Sequence, residues 1–143
     1  MTPLLLFRHG TAGHRRPGDD EDHLRPLDER GRRQAAALPA QYSRFAVERV
    51  LTSPYVRCRQ SVEPLAETLG LAVEERAELA EGAAEAETRA LIAEVAGDTG
   101  VLCTHGDILE ALLGEEPEKG STWVVEPNGD GNLRRREYLP PPA

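Results

Sequence analysis

The sequence predicts an α/β fold built on a largely parallel sheet. Two observations point there. Short apolar runs of strand length alternate with longer stretches of helical character. Three of those runs also end abruptly in polar clusters: Arg8-His9-Gly10, the stretch Thr52 to Arg57, and Thr104-His105-Gly106. In a parallel sheet such clusters collect at the carboxyl ends of the strands, where active sites gather.

Each element follows from local composition. Residues 3–8 are short, apolar and followed by a glycine-rich turn, as in a buried strand. Residues 11–27 are polar, rich in Gly, Pro and charge, and too long for a neutral connection, so they read as a functional loop. Asp28 is placed to cap a helix from Glu29 toward Gln41, with Ala35, Ala36 and Leu38 facing inward. Pro39 is expected to shorten or bend it. Residues 47–53 read as a second strand. Pro54 suits the first position of a helix that runs to Leu69 and closes at Gly70, and Pro64 predicts a kink within it. Residues 72–75 form a short edge strand, and 84–96 an Ala/Glu-rich helix ended by Gly97. Residues 100–107 repeat the opening pattern, a strand leading into His105-Gly106 and a helix to Leu113. Residues 121–127 and 133–139 flank Asn128-Gly129-Asp130-Gly131, a hairpin signal. One domain is expected over residues 1–139, with a disordered tail at 140–143.

Composition narrows the function. The 143 residues are 39% hydrophobic and 29% charged, ordinary for a soluble domain, and the net charge is −8. That balance argues against nucleic-acid or membrane-surface binding, which needs a basic face. No run approaches the ~18 apolar residues of a membrane span, and the N-terminus lacks a signal-peptide pattern, so a cytoplasmic location is expected. Cys58 and Cys103 are far apart and form no CxxC pair, which fits reduced thiols. Of the basic residues, Lys119 is the only lysine.

Two strand-end histidines and two arginines fall where this fold would unite them. Arg8 and Arg57 offer planar multidentate donors suited to phosphate oxygens. Helices starting near Pro54 and Gly106 add their N-terminal dipoles. Among these cations His9 would stay neutral, hence nucleophilic toward phosphorus, with His105 holding the transferring oxygens.

The stretches LLLFRHGTAG, RPLDERGRRQA, LTSPYVRCRQS and LCTHGD resemble the histidine phosphatase superfamily, in its phosphoglycerate-mutase-like branch, in the right order along nearly the whole chain. The resemblance implies a three-layer α/β/α sandwich with a mostly parallel sheet and a phosphatase that works through a phosphohistidine on His9. Arg8, Arg57 and His105 would form the phosphate clamp, with Gly10, Thr11 and Gly106 lining it. The family also uses a general acid between the second arginine and the second histidine. Glu78 and Glu81 both lie there, and the family's leucine-x-glutamate pattern favours Glu81. Between Glu81 and His105 there is no room for the lid of a mutase, so hydrolysis is expected.

Two subfamilies resemble the chain most: small phosphohistidine phosphatases, and the phosphatase domain that follows a Nudix domain in some bacterial nucleotide hydrolases. Lys119-Gly120-Ser121-Thr122-Trp123 looks like the latter. The implied substrate is a phosphorylated small molecule such as a nucleotide, or a phosphohistidine protein. No cofactor is implied. A metal site would have to use His14 and His23 of the polar loop, and no HExxH pattern exists. A cysteine-dependent phosphatase is excluded because Pro64 and Leu109 stand where its arginine would be. The non-enzymatic alternative is a phosphate-binding module of the same fold, which the retention of both histidines and both arginines disfavours.

Overall fold

Leu4, Leu5, Leu6 and Phe7 are 0–2% exposed, so the first strand is buried on both faces as its uninterrupted apolar run requires. The computed structural model describes residues 2–15, 18, 20–128, 130 and 132–142. Among them one sheet contains six strands: β1 (Leu4–Arg8), β2 (Arg49–Thr52), β3 (Val73–Glu75), β4 (Gly100–Thr104), β5 (Thr122–Pro127) and β6 (Leu133–Leu139). Their spatial order is β3-β2-β4-β1-β5-β6. The first four run parallel, β5 is antiparallel to β1, and β6 returns antiparallel to β5. Strand β4 thus lies between β1 and β2, which sets the three polar clusters side by side.

Side-chain alternation divides the core in two. Leu5 and Phe7 of β1, Val50 of β2, and Val101 and Cys103 of β4 share one cluster with Leu38, Val62 and Leu65. Those last three belong to helices α1 (Glu29–Gln41) and α2 (Val56–Leu69). Leu4, Leu6, Leu51 and Leu102 point the other way, onto Leu91, Ile92 and Val95 of α3 (Glu85–Val95) and Leu109 and Leu113 of α4 (Gly106–Leu113). Two helices on each face make a three-layer α/β/α sandwich. No helix among the described residues is long and apolar enough to cross a membrane.

Local chemistry sets most boundaries. Asp28 caps α1 by accepting the Gly31 N–H at 2.8 Å, and Gly70 closes α2. Two proline expectations need correction. Pro39 does not shorten α1, because it falls in the last turn and Tyr42 N–H still reaches the Leu38 carbonyl at 2.8 Å. Pro54 is not the first helical residue. Ser53 Oγ accepts the Tyr55 N–H at 3.2 Å, an extended turn that delays α2 to Val56. Pro64 lies inside α2, which continues through it to Leu69. At the hairpin Asn128 N–H donates to Asn132 O at 2.8 Å. Gly129 and Gly131 of its predicted turn lie outside the described residues, as does Ala143 of the predicted tail. Pro140, where that tail begins, accepts a bond from Gln41 Nε2 at 3.0 Å.

Candidate active site

The carboxyl ends of β1, β2 and β4 open into a cavity of about 350 Å³ lined by Arg8, His9, Arg57, Glu81, His105 and Gly106, among others. His9 follows β1 directly and is 6% exposed. Its Nδ1 lies 2.8 Å from the Gly10 carbonyl, which can only accept, so Nδ1 carries the hydrogen. Arg57 Nε, which can only donate, faces His9 Nε2 at 3.4 Å. The lone pair of His9 is therefore on Nε2. Burial above all, then the charges of Arg57 and Arg8, outweigh the Gly10 hydrogen bond and lower the His9 pKa to about 3.

His105 stands at the N-terminus of α4, with its ring centroid 5.3 Å from that of His9. Its Nε2 meets Ser53 Oγ at 2.8 Å. Ser53 Oγ already accepts the Tyr55 N–H, so its hydroxyl is free to donate to Nε2. With Ser53 donating, His105 Nδ1 carries the hydrogen and can act as a donor. Burial, followed by the proximity of His9 and Arg57, lowers the His105 pKa to about 2.

The two guanidiniums are braced differently. Arg8 donates to the Pro117 carbonyl at 2.6 Å and pairs with Glu116 at 2.9 Å. Arg57, 1% exposed, donates to the Asp22 carbonyl at 2.8 Å and to its carboxylate at 3.1 Å. Burial of Asp22 opposes its ionisation, but Arg25 and Arg57 prevail and hold its carboxyl below the usual range. Two buried donors here, Arg8 Nε and His105 Nδ1, have no hydrogen-bond partner among the described residues. Buried donors of this kind call for an acceptor, and both belong to residues that line the cavity.

The structure separates the two glutamates. Glu81 lines the cavity, bonded to Arg15 at 2.5 and 2.6 Å and 3.6 Å from Arg57. Glu78 lies outside the lining and is paired with Arg76 at 2.7 Å, which holds its carboxyl below the usual range. Gly10 and Thr11 are not brought to the cavity. The Thr11 hydroxyl is taken by Asp28 at 2.5 Å. At Gly10 a Cβ would come within 2.8 Å of Gln34 Oε1 and 3.1 Å of Gly31 Cα, so close approach to α1 explains that glycine. Among the described residues no three His, Cys, Asp or Glu side chains are grouped so as to hold a metal ion.

The model of the histidine phosphatase superfamily (branch 1) matches residues 4–94. The chain belongs to that superfamily. An 8-oxo-(d)GTP phosphatase of Mycolicibacterium smegmatis is 39% identical over 97% of the chain, which spans 48% of that relative's length. The tungstate complex of the protein histidine phosphatase SixA superposes with TM-score 0.80 at 23% identity, covering 98% of this chain and 97% of that one. A mycobacterial glucosyl-3-phosphoglycerate phosphatase superposes with TM-score 0.77 at 17% identity, over 98% and 100% of the two chains.

Several residues in or beside the cavity escape sequence reasoning. Arg25, Lys119 and Glu116 line it from irregular segments with no periodicity to mark them, and Asp22, which braces Arg57 from outside the lining, sits in a single 3-10 turn. Arg25 donates to the Ala12 carbonyl and, at 3.0 Å, to Asp22, so it anchors the loop as well as lining the cavity. Arg15 is on the rim, while its neighbour Arg16 lies outside the described residues. Gly106 is dictated by Arg8: a Cβ there would sit 2.8 Å from the guanidinium carbon and crowd Glu116. Gly106→Ala is expected to displace Arg8 and weaken tungstate binding about tenfold or more, measured by calorimetry. Unchanged affinity would show that Arg8 has room to move.

Proposed function

We propose that this domain hydrolyses a terminal phosphate by transferring it to His9. The observation that carries this reading is the orientation of His9. Its Nδ1 is spent on the Gly10 carbonyl, leaving the Nε2 lone pair in a cavity with two guanidiniums. A neutral imidazole so held is a nucleophile that needs no deprotonation. Arg8, Arg57 and the Nδ1–H of His105 would hold the three transferring oxygens, balancing their charge in the transition state.

In the first step the Nε2–P bond forms while the bond from phosphorus to the leaving oxygen breaks. Glu81 gives that oxygen a proton. In the second step water attacks phosphorus, Glu81 accepts the water's proton, and phosphate departs with His9 restored. Arg15, exposed and on the polar loop, is the partner an incoming phosphate would draw away from Glu81. The substrate is a phosphorylated small molecule, a nucleotide in the first instance, or a phosphohistidine protein. The 39% identity to an 8-oxo-(d)GTP phosphatase supports the nucleotide.

Glu81→Gln is expected to slow hydrolysis of an alkyl phosphate by about 100-fold and of p-nitrophenyl phosphate by much less, since p-nitrophenolate leaves without a proton. Glu78→Gln, at its Arg76 pair, should change either rate less than about twofold. A larger loss in Glu78→Gln than in Glu81→Gln would reassign the acid. Ranking kcat/KM over nucleoside diphosphates, sugar phosphates and phosphohistidine peptides identifies the substrate.

A further inference from the structure

The segment Lys119 to Trp123 has no part in the reaction just described. Lys119 is the only lysine in the chain, yet it lines the same cavity as Arg8, His9, Arg25 and Arg57. Backbone hydrogen bonds fix its place. The Gly120 N–H donates to the carbonyls of both Arg8 and His9 at 3.0 Å, and the Arg8 N–H donates to Ser121 O at 3.0 Å. A turn closes beneath Lys119 where the Ser121 N–H reaches Glu118 O at 3.1 Å. The Pro117 carbonyl then takes the Arg8 guanidinium at 2.6 Å. Lys119 is thus carried on a turn tied to the very residues that would hold and attack the phosphate.

Its charge environment is unusual. The other cationic side chains described above have acceptors: Glu116 and Pro117 for Arg8, Asp22 for Arg57 and Arg25, Glu81 for Arg15. Among the described residues the Lys119 ammonium has neither hydrogen bond nor ion pair. Burial, then the nearby charges of Arg8 and Arg25, lower its pKa against the opposing charge of Asp28, so cations outweigh carboxylates around it. An ammonium kept beside guanidiniums with no carboxylate paired to it is suited to an anion beyond the one those guanidiniums would hold.

We propose that Lys119 binds the second phosphate of a phosphoanhydride substrate, such as a nucleoside diphosphate, and so selects anhydrides over simple phosphomonoesters. This rests on the catalytic reading above. The Nε2–P bond of His9 forms as the bond from the terminal phosphorus to the bridging oxygen breaks. The electron pair stays on that oxygen, which leaves on the departing phosphate. Lys119 offsets the charge that develops there, so an anhydride has little need of the proton from Glu81. Water then releases inorganic phosphate from His9, passing its proton to Glu81.

The test compares kcat/KM for GDP and for phenyl phosphate in the wild type, Lys119→Met and Lys119→Arg, alongside calorimetric affinities for pyrophosphate and inorganic phosphate. Lys119→Met is expected to lower kcat/KM for GDP by about 10- to 100-fold, at least about fivefold more than for phenyl phosphate. It should weaken pyrophosphate more than phosphate, and Lys119→Arg should recover most of both losses. Equal losses on the two substrates, or none on GDP, overturn the assignment. If the wild type turns over neither substrate, the catalytic reading fails by itself. The pyrophosphate-to-phosphate affinity ratio then decides on Lys119, and a ratio unmoved by Lys119→Met rejects it.

Discussion

His9→Ala is expected to lower phosphatase turnover about 10⁴-fold or more and to abolish the phosphoenzyme. No other group can take over the attack from the same place. The His105 Nε2 is committed to Ser53 Oγ, and with that hydroxyl donating, its Nδ1 carries the hydrogen. Cys58, 0% exposed, lies inside the core. The proposed oxyanion donors remain in the variant, Arg8 still braced by Glu116 and Arg57 by Asp22. Tungstate should therefore still bind His9→Ala while catalysis is lost, which separates chemistry from binding. The wild type, quenched during turnover of a radiolabelled substrate, should carry one acid-labile, base-stable phosphate per chain. Undiminished turnover by His9→Ala, or a label that resists acid, would sink the covalent mechanism.

Stability is expected to fall steeply below neutral pH, for a reason built into the same site. In the unfolded chain His9 and His105 would take up protons near pH 6.5. In the folded protein burial lowers them to about 3 and about 2. Between those limits the unfolded state binds more protons, so acid favours unfolding. The stabilisation is whole above pH 6.5 and declines by up to ~1.4 kcal/mol per histidine for each pH unit below it. From pH 7.5 to 5.5 the two together lose roughly 3 kcal/mol, a fall in Tm of about 10 °C for a domain of this size. Thermal unfolding followed by circular dichroism measures this directly. His105→Gln should halve the slope, because glutamine does not titrate. A Tm unchanged between pH 7.5 and 5.5 would show that the imidazoles are not held neutral by the fold. Saturating tungstate, an anion that stabilises imidazolium, should flatten the dependence.

Much of this protein is legible in short stretches of chain. The run Leu4–Phe7 is buried on both faces, and Gly100–Thr104 likewise, because uninterrupted apolar strands have no other stable place. Asp28 caps α1 and Gly70 ends α2, since caps are satisfied by neighbours in sequence. With β4 between β1 and β2, the clusters at Arg8, Arg57 and His105 converge as the α/β pattern requires. The residues of the proposed phosphate clamp needed no more than strand order to be brought together.

Tertiary structure alone decided the rest. Glu78 and Glu81 are three apart in an acidic run, and only the path of the chain turns one to Arg76 and the other into the cavity. Thr11, adjacent to the Arg8-His9-Gly10 cluster, is drawn away by Asp28, seventeen positions on in the chain. Asp22 and Lys119 come from segments without periodicity, and their partners are fixed by contacts distant in sequence. The sequence by itself determined the strands, the helices and the chemistry gathered at one sheet edge, because those follow from local hydrophobic period and capping. Which loop residues brace, line and tune that edge was settled only by folding, because a polar loop carries no local signal of what it will touch.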